Sequence, residues 1–118
     1  MFKFTTLGQA NTRNLIPSRG EPLSDEDDEI IAFHDAFPVA PVHILVLPKK
    51  EIVNINFASE EDVLLLGKIQ LVLAKLAREF NIDKSGYRVL TNIGEDGGQT
   101  VLHMHYHLIG GRKLGTDI

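Results

Sequence analysis

The sequence contains no cysteine and no tryptophan among its 118 residues. Without cysteine there can be no disulfide bond, no thiol nucleophile and no zinc or iron–sulfur site that depends on cysteine ligands. The 12 lysine and arginine residues are outnumbered by 16 acidic residues, so the formal net charge is −4. A broad basic surface for polymeric nucleic acid is therefore not expected, whereas a local pocket for a small anion is compatible with this charge.

A long uninterrupted apolar run is also missing. The most apolar stretch, Val63 to Phe80, is interrupted by Lys68, Lys75 and Arg78, so the sequence predicts no membrane span. No apolar run follows a basic start at the amino terminus, so no signal peptide and a cytoplasmic location are expected. The length, with 43% hydrophobic and 24% charged residues, is typical of one globular domain.

The first part of the chain differs in character from the rest. Residues 1–26 are predicted to form an N-terminal arm, because they are polar and are interrupted by Pro17, Gly20 and Pro22. Residues 27–118 are predicted to form the folded domain.

The apolar pattern of the second part predicts an α+β fold. Apolar, β-branched runs at Ile30–Phe33 and Val42–Leu47 predict two strands. Ser59–Phe80 predicts one long helix, because its first residue is a good N-cap and its apolar residues recur at intervals of three and four. Tyr87–Ile93 and Thr100–Ile109 predict two further strands around a glycine-rich connection. The helix is expected to pack across one face of an antiparallel sheet.

Three of the five histidines, His103, His105 and His107, occupy alternate positions. In a strand this spacing places all three imidazoles on one face. They could bind zinc, but three successive positions on one face span roughly 13 Å, which is long for one ion at about 2 Å per ligand. They could instead act on phosphorus, where histidine attacks, transfers protons and binds anionic oxygens. A merely solvated polar face is the third interpretation.

The segment Gly94–Thr100, directly before the histidines, favours phosphate. Its glycines allow backbone N–H groups to approach an anion, and a hydroxyl and an amide lie beside them. The sequence has neither a phosphate loop ending in GK[ST] nor a GxGxxG dinucleotide fingerprint, so the nucleotide-binding folds built on those motifs are excluded. We therefore favour phosphorus chemistry at the three histidines.

The chain resembles the histidine triad (HIT) superfamily. His103–Ile109 is similar to its motif His-φ-His-φ-His-φ-φ, where φ is apolar. The Hint branch, the histidine triad nucleotide-binding proteins, has segments similar to Ala32–Asp35 and Ala40–Lys50, to Gly86–Val89, Asn92 and Asp96–Val101, and to Gly110–Arg112. The resemblance extends from about Asp27 to Arg112.

The resemblance implies a HIT-like fold of about five antiparallel strands with one long helix, in a homodimer whose two sheets join. It also implies a purine nucleoside phosphoramidase or nucleotidyl hydrolase. Such an enzyme cleaves the P–N bond of an adenosine or guanosine 5′-phosphoramidate through a covalent nucleotidyl-histidine. No metal and no cofactor are implied.

The resemblance also assigns expected roles. His105 would be the nucleophile, while His103, His107 and His43 would orient it, hold phosphate oxygens and pass a proton to the leaving amine. Asp35 would accept the ribose hydroxyls. The other implied nucleotide contacts are with the base, at Phe33 and Ala36, and with the phosphate, at Asn92, Gly98, Gln99, Thr100, His105 and His107.

Some features depart from the Hint pattern and leave alternatives open. Residues 1–23 match it poorly, and because part of the base pocket comes from this region, the base preference stays open. One alternative is a nucleotide-binding regulatory module with weak activity. Another is a dinucleoside polyphosphate hydrolase, against which the Gly-Gly-Arg ending argues. A zinc-dependent enzyme is the remaining alternative.

Overall fold

The computed structural model describes residues 19–23 and 26–118 of the chain. Most of the predicted arm lies outside these residues, and its boundary at residue 26 stays a prediction. The described residues form one five-stranded antiparallel sheet. Its strands are β1 (Arg19–Pro22), β2 (Ile30–Asp35), β3 (Val42–Pro48), β4 (Tyr87–Leu90) and β5 (Tyr106–Gly110). With one long helix on the sheet, the predicted fold class is confirmed.

The order of the strands across the sheet is β1-β2-β3-β5-β4. The central strand β3 pairs with both β2 and β5, so that Leu45 lies between Phe33 and His107, and His43 lies opposite Ile109. Since alternate residues of a strand share a face, His43 and His107 project from the same side of neighbouring strands. Strand β1 was not predicted, because a glycine and a proline interrupt its short sequence.

The long helix, α1, extends from Val63 to Glu79. Ser59 begins it as predicted, through an intervening 3₁₀ turn at Glu60–Asp62. The Ser59 backbone N–H donates to Asp62 Oδ2 at 2.9 Å, one half of a reciprocal capping box that satisfies amides left free at a helix start. In the described part of the chain, no helix combines the length and apolar character needed to cross a bilayer.

Apolar side chains are buried on both faces of the sheet. Between the sheet and α1 lies the larger cluster, to which α1 contributes Leu65, Ile69, Leu73, Leu76 and Ala77. Met104, Tyr106 and Leu108, which alternate with the three histidines along the chain, also lie in this cluster. The opposite face carries a smaller cluster of Ile31, Phe33, Leu45 and Leu47, packed against Val101. Because both faces of β2 and β3 are covered, these strands read as nearly continuous apolar runs.

Two of the predicted strands are shorter in the structure. Strand β4 ends at Leu90 and not at Ile93, and β5 begins at Tyr106 and not at Thr100. The segment between them leaves the sheet because residues 94–99 form a tight turn, and because the Met104 N–H donates to the carbonyl of residue 52 at 2.7 Å. Only His107 of the three alternate histidines therefore lies in a strand.

The packing of α1 predicts a stability difference between two leucine-to-alanine variants. Leu76 is fully buried under the sheet, whereas Leu102 is 61% exposed. We expect Leu76→Ala to lower the free energy of unfolding by about 2–5 kcal/mol, because it removes buried methylene groups and leaves a cavity. Leu102→Ala should change it by no more than about 0.5 kcal/mol. Urea titration followed by circular dichroism measures both, and equal losses would contradict this packing.

Candidate active site

The described residues bring four of the five histidines to the loops and strands around β3 and β5. His43 lies near the start of β3, on the sheet face turned away from α1, and is buried, with 6% of its surface exposed. Its ring centroid lies 5.1 Å from that of His107, and the His107 centroid lies 5.3 Å from that of His105. The predicted row of imidazoles is thus replaced by a compact cluster that includes a residue from β3.

Three hydrogen-bonding groups surround the His43 ring. The Val39 backbone N–H donates to His43 Nδ1 at 3.2 Å. His43 Nε2 lies 2.9 Å from His107 Nδ1 and 3.4 Å from Asp35 Oδ2. Because an amide can only donate, Nδ1 must carry a lone pair, and the ring proton of neutral His43 is on Nε2. That N–H faces both His107 and Asp35.

The state of His107 follows from that of His43. Since His43 Nε2–H points at His107 Nδ1, this nitrogen accepts, and the proton of neutral His107 lies on Nε2. Burial, followed by the neighbouring His105 and His43, lowers the pKa of His107 to about 4. Burial likewise lowers the pKa of His43, although the charge of Asp35 opposes this. Near neutral pH both rings are therefore uncharged.

His105 has the opposite proton arrangement. Its Nδ1 donates to the carbonyl oxygen of His103 at 2.8 Å, because a carbonyl can only accept. The proton of neutral His105 is therefore on Nδ1, and Nε2 keeps its lone pair. The Thr91 hydroxyl donates to the backbone carbonyl of His105 at 2.8 Å and so holds the main chain that carries this ring. His105 thus offers a basic nitrogen, whereas neighbouring His107 offers an N–H.

His103 is fully buried, and its side chain is hydrogen-bonded to the protein backbone. Its Nε2 donates to the Pro48 carbonyl at 2.8 Å, which ties the segment before β5 to the end of β3. Burial lowers the pKa of His103, opposed by the hydrogen bond to Pro48. Its backbone carbonyl is the acceptor that orients His105. His103 therefore contacts the His105 imidazole through its main chain.

Gln99 holds the glycine-rich turn in place. Its Oε1 accepts from the Asn54 side chain at 2.9 Å and from the Gly94 backbone at 3.0 Å. Its Nε2 donates to the carbonyls of Val53 and Val101 at 2.7 and 3.0 Å. The side-chain amide is thus fully engaged within the protein, and the phosphate contact expected of Gln99 stays a prediction.

The other expected phosphate contacts surround the same turn. The Asn92 side chain donates to the Gly97 carbonyl at 2.8 Å, and Gly98 has a φ of +83°, a conformation that glycine adopts without strain. Gly98 and Thr100 are exposed and so are accessible to a ligand. A β-carbon at Gly97 would lie 2.2 Å from the Ile93 carbonyl oxygen, so only glycine fits there.

The expected nucleoside contacts differ in accessibility. Phe33 is 1% exposed and belongs to the smaller apolar cluster, whereas Ala36 is exposed. Asp35 is 8% exposed, and its Oδ1 accepts from the Phe37 backbone N–H at 2.8 Å. The contacts of these residues with a nucleoside stay predictions. His34, omitted from the predicted site, packs edge-on against Phe80 on the helix side, with ring centroids 5.6 Å apart.

Sequence reasoning missed the backbone partners of the cluster. The Val39 amide and the Pro48 carbonyl fix two imidazoles, yet every residue except proline carries an amide and every residue a carbonyl. Thr91 and Asn54 also escaped prediction, although their side chains hold the His105 backbone and Gln99. Only the placement of Thr91 within a predicted strand near the histidines offered a signal.

A metal ion could draw on Asp35, His43 and His107, whose ligand atoms lie within 4.8 Å of one another. These are the donors that zinc accepts. Coordination through His43 Nε2 would, however, require its proton to move to Nδ1, where it would oppose the Val39 N–H. The hydrogen bond from Val39 thus opposes metal coordination at His43 Nε2.

Comparison with known proteins identifies relatives across most of the chain. The family model described as the HIT domain matches residues 23–114. An uncharacterized HIT-like protein of Buchnera aphidicola is 42% identical over 102 residues, which cover 86% of this chain and 88% of that protein.

Solved structures show the same likeness. A HIT family hydrolase from Legionella pneumophila superposes with a TM-score of 0.81 at 37% identity, covering 98% of this chain and 96% of the other. A histidine triad nucleotide-binding protein from Candida albicans gives a TM-score of 0.68 at 27% identity, covering 92% and 84%.

The lowered histidine pKa values predict a pH dependence of stability. Between pH 6.5 and about 4 the unfolded chain binds a proton at residue 107 that the folded protein does not. The free energy of unfolding should therefore fall as the pH falls through this range, by about 1.4 kcal/mol per pH unit for each such proton. His107→Asn should reduce the slope measured by urea titration at several pH values.

Asp27 provides the control for this measurement. Its pKa is lowered to about 2, chiefly by the hydrogen bond from Lys68, so its contribution is complete above pH 3.8 and is lost as the pH falls toward 2. Asp27→Asn should change the curve below pH 4 and leave the slope between pH 6.5 and 4 unaltered. An unchanged slope in His107→Asn would show that this ring titrates normally in the folded protein.

Proposed function

The chain belongs to the HIT domain family, and from that premise we propose that it is a purine nucleoside phosphoramidase. It would cleave the P–N bond of an adenosine or guanosine 5′-phosphoramidate. The observation that carries the proposal is the pair of hydrogen bonds from His105 Nδ1 to the His103 carbonyl and between His43 Nε2 and His107 Nδ1. They imply opposite tautomers at His105 and His107, which set a basic nitrogen beside an N–H donor. Attack on phosphorus needs both at once.

His105 Nε2 is the proposed nucleophile. Its lone pair attacks the α-phosphorus and forms a P–N bond to the imidazole, while the bond from phosphorus to the amine breaks and its electron pair goes to the amine nitrogen. The His105 Nδ1–H bond to the His103 carbonyl stabilises the positive charge that develops on the ring. One difficult displacement is thereby divided into two easier ones.

The His107 Nε2–H would donate to a phosphoryl oxygen. The departing amine also needs a proton, which the neutral cluster of the free protein supplies poorly because the pKa of His107 is about 4. A bound phosphate brings negative charge beside the rings and raises their pKa, so that a proton becomes available when substrate binds. In the second step, water attacks phosphorus, its proton returns to the cluster, and nucleoside monophosphate and free His105 are released.

The nucleotide-binding residues complete the proposal. The exposed turn at Gly98 and Thr100 lies before the histidines and would receive phosphate oxygens together with Asn92. A contact from Gln99 would require the phosphate to replace one of its internal hydrogen bonds. Asp35 would accept the ribose hydroxyls, with the base near Phe33 and Ala36. A nucleotide ligand is supported by the likeness to a histidine triad nucleotide-binding protein from Candida albicans, and hydrolysis by the likeness to a HIT family hydrolase from Legionella pneumophila.

Hydrolysis of an adenosine 5′-phosphoramidate tests the nucleophile. We expect the purified protein to release amine and AMP, with the rate unchanged by EDTA. His105→Ala should lose at least about 10³-fold in turnover, because no other described group replaces the nucleophilic nitrogen. His34→Ala, which removes an imidazole from the opposite face of the sheet, should retain turnover.

The outcomes separate the alternatives. A transient gain of one nucleotidyl group on the intact protein, detected by mass spectrometry and absent in His105→Ala, supports the covalent step. AMP binding without turnover would favour the regulatory module, and loss of activity on chelation would favour a metal enzyme. Preference for a dinucleoside polyphosphate over the phosphoramidate would reassign the substrate class.

We also propose that the chain forms a homodimer. In the described residues β4 is an edge strand, whose unpaired backbone groups can receive another strand. On α1, Leu64 and Leu71 are 87% and 72% exposed and lie two turns apart on one face. An exposed edge strand and an apolar helix face are features that dimerisation would cover.

A charged substitution on this helix face tests the dimer. Leu71→Asp should shift the protein from dimer to monomer in sedimentation equilibrium, because an aspartate would be buried without a partner. Leu102→Asp introduces the same charge at another exposed leucine and should leave the dimer intact. A monomeric native protein, or a dimer that survives Leu71→Asp, would refute this interface.

A further inference from the structure

Arg112, in the segment after β5, contacts the loop before β3 whose backbone borders the histidine cluster. The chain turns at Gly111, whose φ is +94°, and passes so close to Pro41 that a β-carbon at Gly111 would lie 2.9 Å from the proline Cβ. Glycine is therefore required at this crossing. The turn brings the next side chain, Arg112, against the loop that precedes β3.

The Arg112 guanidinium holds the Val39 carbonyl. Its Nε and Nη2 both donate to the Val39 carbonyl, at 3.2 and 3.0 Å, and its Nη1 donates to the Lys113 carbonyl at 3.0 Å. The planar guanidinium is thus fixed at three of its nitrogen atoms, which a lysine could not reproduce. The N–H of the same Val39 donates to His43 Nδ1 at 3.2 Å.

We propose that Arg112 is a positioning residue that sets the tautomer of His43. By holding the Val39 carbonyl, it fixes the backbone of residue 39 and so keeps the Val39 N–H, on the other side of the same Cα, directed at Nδ1. The proton of His43 then stays on Nε2. His43 then donates to His107, which in turn presents its own Nε2–H. The role of this arrangement in turnover rests on the proposed function, whereas the tautomer does not.

Without the clamp, His43 Nδ1 would lose its hydrogen-bond donor, and Asp35, 3.4 Å from Nε2, would remain as the charged group that distinguishes the two nitrogens. Val39 is 56% exposed, and apart from Arg112 no described hydrogen bond reaches its carbonyl. The backbone of residue 39 could then rotate and turn the Val39 N–H to water, and His43 could carry a proton on Nδ1 or on both nitrogens. The other titratable groups that face His43 are Asp35 from β2 and His107 from β5, and neither contacts Nδ1.

A role of Arg112 in binding a ligand must be distinguished from its role in positioning His43. Arg112 also lines a cavity of about 690 Å³, together with Arg88, Tyr87 and Lys113, that contains none of the histidines. An effect of Arg112 on activity could therefore come from a ligand in this cavity. Arg88 is the matched control, because it lines the same cavity and its guanidinium also donates to a backbone carbonyl, that of Gly115.

The experiment compares Arg112→Gln with Arg88→Gln by ¹⁵N–¹H NMR of the imidazole rings, in the protein without ligand. In the native protein and in Arg88→Gln, His43 should show a single Nε2–H tautomer. In Arg112→Gln it should show exchange between tautomers and titrate at higher pH. Val39→Pro, which deletes the N–H and leaves Arg112 in place, should give the same change.

Kinetics supply the second measurement. We expect Arg112→Gln to lower kcat for the phosphoramidate about tenfold, the range seen when an outer hydrogen bond that orients a functional imidazole is removed, with KM little changed. Arg112→Lys should recover only part of the loss. Native ¹⁵N shifts of His43 in both Arg112→Gln and Val39→Pro would overturn the proposal. A protein without turnover whose His43 tautomer still changes would refute the proposed function and leave the role of Arg112 intact.

Discussion

The hydrogen bond between His43 and His107 is the interaction on which the rest of the site depends. It joins the two central strands at the face turned away from α1, with 2.9 Å between Nε2 and Nδ1. At this distance one of the two facing nitrogens donates a hydrogen bond and the other accepts it, so both cannot carry a proton. The pairing of β3 with β5 sets the distance, and burial keeps both rings neutral.

The carbonyls and amides around the cluster then decide which nitrogen of each ring is basic. The Val39 N–H occupies His43 Nδ1, so the ring proton of His43 is on Nε2. The His103 carbonyl accepts from His105 Nδ1, so the ring proton of His105 is on Nδ1. Identical side chains thus acquire different chemistry from backbone groups that carry no sequence information. In the proposed mechanism this difference separates the nucleophile from the donor without a charged residue between them, which would suit a site that admits an anionic substrate.

The sequence predicts more of the fold than of this site, and the reason lies in what each feature depends on. The helix and its Ser59 start follow from side-chain spacing and a local cap. The start of β5 could not be predicted, because residues 100–105 have strand-like alternation but are drawn to the Ile52 backbone. A tertiary contact overrides local pattern there.

The displacement of residues 103–105 from the sheet has a consequence for chemistry. In a regular strand the backbone carbonyl of residue 103 would be directed along the sheet toward a neighbouring strand, and it would be unavailable to the ring two residues later. Outside the ladder it accepts from His105 Nδ1, while His103 itself is anchored to the Pro48 carbonyl. The irregular backbone therefore leaves the lone pair on Nε2 of His105, the atom that is proposed to attack phosphorus. A longer and more regular β5 would complete the sheet but remove the tautomer on which the proposed nucleophile depends.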